Sequence, residues 1–172
     1  NLLASAMGIH TSELYFPSQV HKTRILHVTR STPKEDLLDT DSLITMDRGI
    51  CIAVMSADCV PVLLYDNRNN AVAAVHSGWR GTVARILEKT LQEMRRLFGT
   101  RGEDIYAGIG PSVSLDCYEV GEDVIQEVRE SFGQKNELLK PTTNNKAKLD
   151  LWKANSVQLV EFGVNPAQAE IS

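Results

Sequence analysis

Two apolar segments separated by four polar residues limit the possible folds of this chain most strongly. Residues 61–66 (PVLLYD) and 71–76 (AVAAVH) have the composition of β-strands, and the intervening NRNN favours a turn because asparagine tolerates left-handed backbone conformations. A hairpin centred on this turn pairs Asp66 with Ala71 and Pro61 with His76. Side chains alternate between the two faces of a strand, so Cys59 lies on the face of Pro61, diagonal to His76 and about 7 Å from it between backbones.

This register predicts that Cys59 and His76 are close enough to share a metal ion or to form a hydrogen-bonded pair. The pattern alone leaves a plainer interpretation open, in which the cysteine is a small apolar core residue and the histidine a polar strand end. Cys51 is expected in the core. His10 and His27 have no partner that the sequence identifies.

The remaining segments alternate between strand and helix patterns. The apolar run 50–57 (ICIAVMSA) predicts a strand buried on both faces, and the amphipathic segment 82–98 predicts one continuous helix ended by Gly99. Further strands are expected at 24–29, 105–109 and the final AEIS, and further helices at 1–7, 121–132 and 150–162. This alternation, together with the hairpin, predicts an α/β fold with a mixed sheet flanked by helices.

The composition excludes several classes of protein. The chain has 172 residues, is 42% hydrophobic and carries a net charge of −4, which suits one domain over residues 1–172 and gives no basic stripe for nucleic acid. No apolar run approaches the roughly 20 residues of a membrane span. Three cysteines without a CxxC pair indicate a reducing, cytoplasmic setting, although the missing initial Met leaves a lost leader possible.

The segment after His76 reads as a strand end, a glycine-flanked loop (SGWRG) and a helix start at Thr82. Free amides at a helix start attract anions, so we expect phosphate near the amides of Gly81 and Thr82, with Arg80 as a second contact. The alternative is that these glycines only serve a tight turn. A second glycine loop (GIGP, 108–111) leads to Tyr118, which could stack on a base or simply pack at a helix entrance.

Several motifs follow one another along the chain: QVH at 19–21, DSLIT at 41–45, SADCVPVLL at 56–64, VHSGWRG at 75–81, GIGP at 108–111 and YEVG at 118–121. In this order they resemble the laccase-domain or YfiH-like family of polyphenol oxidases and purine nucleoside phosphorylases. Lys22 departs from a common glycine and Ser77 from a common alanine. The resemblance implies a fold similar to that of the cytotoxic necrotizing factor deamidases, and a domain that is cut short at both ends.

By position, the resemblance implies that His21, Cys59 and His76 bind a metal, expected to be zinc, with copper possible. Two histidines and one cysteine leave a fourth position open, as catalytic zinc requires. The implied activities are phosphorolysis of adenosine, inosine, guanosine and methylthioadenosine, and deamination of adenosine. The partners are then nucleoside and phosphate, and Asp58 or Asp41 is the candidate for protonating the leaving ammonia.

Three other functions compete with this one. A single-copper polyphenol oxidase would fit the family's older name, although four histidines without any His-x-His spacing do not suit a multicopper centre. A metal-free hydrolase would use Cys59 as nucleophile and His76 as base, and it would not need His21. A non-enzymatic module with structural zinc normally has four protein ligands, one more than this set provides.

Overall fold

The computed structural model describes residues 2–134 and 137–172. Its α-helices are α1 (Leu2–Ala6), α2 (Trp79–Val83), α3 (Ile86–Phe98), α4 (Glu122–Phe132) and α5 (Leu151–Phe162). Its strands are β1 (Leu14–Tyr15), β2 (Ile25–His27), β3 (Ser42–Thr45), β4 (Cys51–Ile52), β5 (Val60–Asp66), β6 (Ala71–Ser77), β7 (Ile105–Ile109), β8 (Glu119–Val120), β9 (Leu139–Pro141), β10 (Ala147–Leu149) and β11 (Ala169–Ile171). No helix in the described ranges combines the length and the apolar character needed to cross a membrane.

The central sheet has six strands in the order β11-β7-β5-β6-β3-β2. Strand β5 is antiparallel to both β6 and β7, and β6 is antiparallel to β3, whereas the outer pairs β2–β3 and β7–β11 are parallel. The sheet is therefore mixed and flanked by helices, which confirms the predicted fold class.

The β5–β6 hairpin has the predicted register, with Asp66 opposite Ala71 and Pro61 opposite His76. Buried Asp66 closes the turn, because its Oδ1 accepts hydrogen bonds from the amides of Arg68 and Asn69, both at 3.0 Å, and its Oδ2 accepts one from Asn69 Nδ2 at 2.8 Å. Asn70 takes the left-handed conformation that the turn needs, with φ 53°. Local chemistry therefore fixes which residues of the two strands face each other.

The helices cover one face of the sheet. Along β5, Val62 and Leu64 are buried, whereas Leu63 and Tyr65 on the opposite face are exposed. Ser77 points to the helix side, where its hydroxyl donates to Asn155 Oδ1 of α5 at 2.8 Å. Because neighbouring side chains alternate, His76 faces the side of the sheet away from the helices, together with Cys59.

The predicted strand over residues 50–57 is wrong in its extent. Only Cys51 and Ile52 form a strand, β4, which pairs in parallel with β1 outside the main sheet. The following residues are an irregular segment, exposed from Met55 to Asp58. Apolar composition alone could not reveal that no further strand lies beside this segment, and Cys51 is only half-buried rather than in the core.

The predicted continuous helix over 82–98 is interrupted. Helix α2 begins three residues earlier, at Trp79, and α3 starts only after Arg85, whose φ of 62° is left-handed. The Arg85 side chain compensates by pairing with Glu88 and Glu161 and by lying 4.8 Å over the ring of Phe132. These long-range contacts stabilise a break that the helical periodicity conceals.

The remaining helices and strands agree with those predicted from the sequence, apart from the residues at which they begin and end. The strands predicted at 24–29 and 105–109 appear as β2 and β7, the tail forms β11, and the helices 121–132 and 150–162 appear as α4 and α5. Asp150 caps α5 by accepting from the Lys153 amide at 2.8 Å. The helix predicted over 1–7 is α1, and its residue Asn1 lies outside the described residues.

Replacing Asp66 with alanine should destabilise the fold by about 2 kcal/mol at pH 7, since three hydrogen bonds to a carboxylate are lost. Burial raises the pKa of Asp66, but the bonds from Asn69 and from the turn amides outweigh it, so the pKa lies below its usual value. The stabilisation from the ionised form is complete above the ordinary aspartate pKa of about 4 and is lost as the pH falls through the lowered value.

Urea unfolding at a series of pH values measures the free energy of unfolding of the wild type and of Asp66→Ala. The difference between wild type and Asp66→Ala should begin to shrink below about pH 4, where Asp66 of the unfolded chain gains a proton while Asp66 of the folded chain is still ionised. Asp116→Ala is the matched control, because its carboxylate is 82% exposed and lies 3.8 Å from the nearest lysine ammonium. A difference that stays constant down to pH 3 would contradict the role given to the ionised Asp66.

Candidate metal centre

Three side chains meet at the end of the β5–β6 hairpin. Cys59 precedes β5, His76 lies on β6, and His21 comes from the loop before β2. Their ligand atoms lie within 4.8 Å of one another, and the two imidazole rings are 4.8 Å apart between centroids at an angle of 81°. Within the part of the chain that the structure describes, this is the one group of three or more His, Cys, Asp or Glu side chains placed to share a metal ion.

The donor set fits zinc. Zinc binds histidine nitrogen and cysteine sulfur at about 2.0–2.3 Å in a tetrahedron, which places ligand atoms roughly 3.5 Å apart. The observed limit of 4.8 Å is wider than this spacing, so the side chains must move inwards by about 1 Å to close around an ion. Exposed His21 can do this by rotating its ring, whereas His76 is buried.

Asp41, at the start of β3, organises this centre from behind. Its side chain is fully buried, and Oδ1 accepts hydrogen bonds from His76 Nδ1 and from the His21 amide, both at 2.9 Å. Oδ2 accepts from the Lys22 amide at 2.9 Å. Because Nδ1 of His76 is engaged, its Nε2 is the atom free to bind a metal, the arrangement common behind metal-bound histidines.

The predicted role of Asp41 as a proton donor to substrate therefore has no geometric support. Its carboxylate is 0% exposed and is surrounded by donors from His76 and from the loop of His21. Asp41 instead holds His21, whose φ of 60° is unfavourable for a residue with a side chain. A buried carboxylate that binds the loop amides is what keeps this conformation in place.

Gly78 leaves the space that two of the three side chains occupy. A Cβ atom at this position would lie 2.8 Å from Cys59 Sγ and 3.2 Å from His21 Cδ2. Its φ of −68° and ψ of 170° are open to any residue, so the glycine is required by the crowding and not by the backbone. The sequence singled out this loop for its glycines but gave no signal of which atoms they accommodate.

The electrostatic environment of Cys59 keeps the free thiol protonated. Burial raises the pKa of the Cys59 thiol, and the negative charges of Asp58 and Asp41 raise it further. A thiol with a raised pKa is a poor nucleophile at neutral pH, because the thiolate is the reactive form. A cation in the centre reverses this effect, since a coordinated thiol loses its proton.

A cleft of about 670 Å³ opens in front of the three side chains. Its walls come from the loop before β2 and from the segment before β5, and they include Gln19, Met55, Ser56 and Asp58. Asp58 is exposed there and is anchored through its backbone carbonyl, which accepts from the Val113 amide at 3.1 Å. Of the two predicted acids, Asp58 is thus the one that a substrate could reach.

The structure gives no support to the predicted phosphate site at the amides of Gly81 and Thr82. Both residues are buried, and the Thr82 amide is used within α2, where it donates to the Gly78 carbonyl at 2.8 Å. The Thr82 hydroxyl lies 2.9 Å from Ser77 Oγ, on the helix side of the sheet. The helix begins at Trp79, three residues earlier than predicted, which turns these groups inwards.

Arg80 and Tyr118, the predicted contacts of phosphate and base, are not among the residues that line the cleft. Arg80 is exposed and lies 4.4 Å over the Trp79 ring. Burial raises the pKa of Tyr118, the negative charges of Cys59 and Asp58 raise it too, and the positive charge of Arg80 lowers it. Tyr118 is half-buried and packs against the main core, so its ring contributes to packing.

The remaining histidines, for which the sequence identified no partner, do not belong to the group of candidate ligands. His10 caps a short 3-10 turn, where its Nδ1 accepts from the Ser12 amide. His27 lies edge-on to Phe98, with 5.1 Å between ring centroids.

The sequence profile of the family described as multi-copper polyphenol oxidoreductase laccase matches residues 1–172. The chain belongs to this family.

Relatives of this chain include proteins named purine nucleoside phosphorylase and adenosine deaminase. The chain is 41% identical to a purine nucleoside phosphorylase of Bacteroides thetaiotaomicron over 99% of its own length and 66% of that protein. It is 36% identical to adenosine deaminase RL5 of an unknown prokaryotic organism, over 96% of its length and 66% of the relative. The chain thus spans just under two thirds of the length of these relatives.

Solved structures of the family have the same fold. Hypothetical protein YfiH of Bacillus licheniformis matches with a TM-score of 0.94 at 29% identity, covering 99% of this chain and 67% of that one. YlmD of Geobacillus stearothermophilus matches with a TM-score of 0.93 at 28% identity, covering 99% and 66%.

Replacing Gly78 with alanine should weaken zinc binding by at least about tenfold, because the new methyl group displaces Cys59 Sγ and the His21 ring. Thermal unfolding of the metal-free protein should change little, since alanine accepts this backbone conformation. Competition with a fluorescent zinc chelator measures the affinity. Gly108→Ala in β7 is the control, because its Cβ would meet no atom within 4 Å; equal zinc affinity in the two variants would contradict the crowding argument.

Proposed function

We propose that this chain carries the metal centre of a zinc-dependent enzyme acting on purine nucleosides. The observation that supports it most is the convergence of His21, Cys59 and His76, with Asp41 orienting one ligand from behind. The names of the relatives, purine nucleoside phosphorylase and adenosine deaminase, supply the substrate class. The reactions proposed are phosphorolysis of adenosine, inosine, guanosine and methylthioadenosine, and deamination of adenosine.

The residues present have separate tasks around the ion. His21, Cys59 and His76 Nε2 would hold zinc, which when bound supplies Lewis-acid activation of water and of polarised substrate groups. Asp41 fixes the tautomer of His76 and the conformation of His21. The exposed carboxylate of Asp58 takes up a proton from the attacking water and delivers it to the leaving amine during deamination.

Phosphorolysis needs a second anchor, for phosphate. Arg80 is the proposed contact, because its guanidinium is exposed and it follows by two residues Gly78, which packs against Cys59 and His21. A phosphate oxygen then attacks the ribose C1′ while the bond from C1′ to the base nitrogen breaks. The base leaves with the electron pair and takes up a proton, and the phosphate stays on the sugar.

A metal-free cysteine hydrolase is the second candidate, and one observation favours it. Cys59, His76 and Asp41 follow one another in the order of a nucleophile, a base and a group that orients the base. Two observations count against it. The pKa of the Cys59 thiol is raised, and His21 completes a ligand set that a dyad does not need. A single copper ion could also use two histidines and one cysteine, so metal analysis must accompany every assay.

Product analysis by mass spectrometry tests the proposed function directly. The full protein, incubated with adenosine, should give adenine and ribose 1-phosphate when phosphate is present, and inosine with ammonia when it is absent. Formation of neither set of products by zinc-loaded protein would reject the proposal.

His21→Ala separates zinc catalysis from cysteine nucleophilicity. With one imidazole lost, zinc content should fall well below one ion per chain, and nucleoside turnover should fall at least about 100-fold. Cys59 of the wild type should resist alkylation as long as its sulfur is a zinc-bound thiolate. A chelator that removes zinc should end this protection. Near-normal turnover by zinc-free His21→Ala protein would favour the hydrolase instead.

Arg80→Ala should raise the phosphate concentration needed for half-maximal phosphorolysis by about tenfold or more, because a charge-assisted contact is lost. Zinc content and deamination should stay unchanged, as neither uses phosphate. Arg96→Ala is a suitable control, since that arginine is 65% exposed and pairs with Glu93 on α3. An unaltered phosphate dependence would place the anion elsewhere.

A further inference from the structure

The cleft in front of the metal centre has one large apolar side chain on its wall. Met55 is 66% exposed on this wall, so its side chain is accessible to a molecule that enters the cleft. The groups around it are polar or ionisable, among them Gln19, Ser56 and Asp58. Met55 therefore offers a large, polarisable apolar side chain in a cleft whose other apolar wall residues are Pro17 and Ala57.

The exposure of Met55 does not come from a loose loop. The side chain of Gln19 forms two hydrogen bonds with the backbone of Met55. Gln19 Nε2 donates to the Met55 carbonyl, and the Met55 amide donates to Gln19 Oε1, both at 2.7 Å. This pair of bonds imitates the pairing of two strands, and it begins where β4 has already ended at Ile52. Ser56 continues the support by donating from its hydroxyl to the Cys59 carbonyl.

The two segments joined in this way are the ones that carry metal ligands. Gln19 precedes His21 by two residues, and Met55 precedes Cys59 by four. The Gln19–Met55 bonds thus hold the Met55 backbone, from which the side chain extends, in a defined position relative to the centre. Tyr118, the aromatic side chain that the sequence suggested for stacking, is half-buried and packed against the core instead.

We propose that Met55 is the residue that contacts the face of the purine base and so determines specificity for a flat aromatic ring. Gln19 is a positioning residue that acts through the backbone of Met55. A thioether suits this task, since sulfur packs favourably against aromatic rings and the unbranched chain adapts to their shape. This inference rests on the proposed function and adds to it a residue for base recognition.

Kinetics with adenosine test the role of Met55. Met55→Ala should raise KM about tenfold and leave kcat within about twofold, because binding of the base is lost while the reacting groups stay in place. Zinc content should not change. Met55→Leu should restore most of the affinity, since leucine returns the apolar surface. Met46→Ala is the matched control: Met46 is 42% exposed but lies outside the cleft.

The role of Gln19 is tested by a measurement that substrate contact alone would not alter. Gln19→Ala should raise KM in the same direction and should also speed amide hydrogen exchange at residues 53–58, whereas Met55→Ala should raise KM without that increase. Gln19→Glu keeps the acceptor for the Met55 amide but loses the donor to its carbonyl, so it should fall between Gln19→Ala and wild type.

The possible failures are distinguishable. If the wild type is active and Met55→Ala has an unchanged KM, the assignment of Met55 is overturned, whereas the proposed function is not. An increase in KM equal to that of Met46→Ala would overturn it too. Wild-type protein that neither binds nor converts any purine nucleoside would reject the proposed function, and the assignment of Met55 with it.

Discussion

The candidate site depends on one buried carboxylate. Asp41 has no contact with solvent, yet its two oxygens accept hydrogen bonds from the His76 imidazole and from the amides of His21 and Lys22. Its own backbone carbonyl accepts from the His76 amide at 2.8 Å, which joins β3 to β6 at the same point. A buried charge is tolerated only with such complete pairing, so the loop, the sheet and the imidazole have to be in place together.

Sequence patterns predicted the parts of this arrangement that local chemistry decides. The turn residues set the register of the hairpin, and the register places Cys59 diagonally from His76. His21 could be assigned only through family resemblance, since its position depends on a left-handed φ and on hydrogen bonds to Asp41, 20 residues away in the chain. Neither feature has a periodicity that a sequence reveals.

The wrong predictions share a physical origin, because each treated a local pattern as sufficient where a distant contact decides. The run at 50–57 has the composition of a strand, but no neighbouring strand is available beyond Ile52. The periodicity of 82–98 conceals a break that Arg85 supports through Glu161 and Phe132. The same break and the early start of α2 turn the Thr82 hydroxyl inwards, towards Ser77 and Asn155 of α5.

Strand β6 places the two halves of the molecule on opposite faces of one backbone. His76 faces the metal centre, and Ser77, the next residue, joins the helix layer. A slip of one residue in the pairing would exchange these faces, burying the imidazole under the helices and sending the hydroxyl towards the ion. With zinc bound as proposed, the zinc-loaded fraction of a refolded population would therefore measure how many molecules closed the hairpin in the native register.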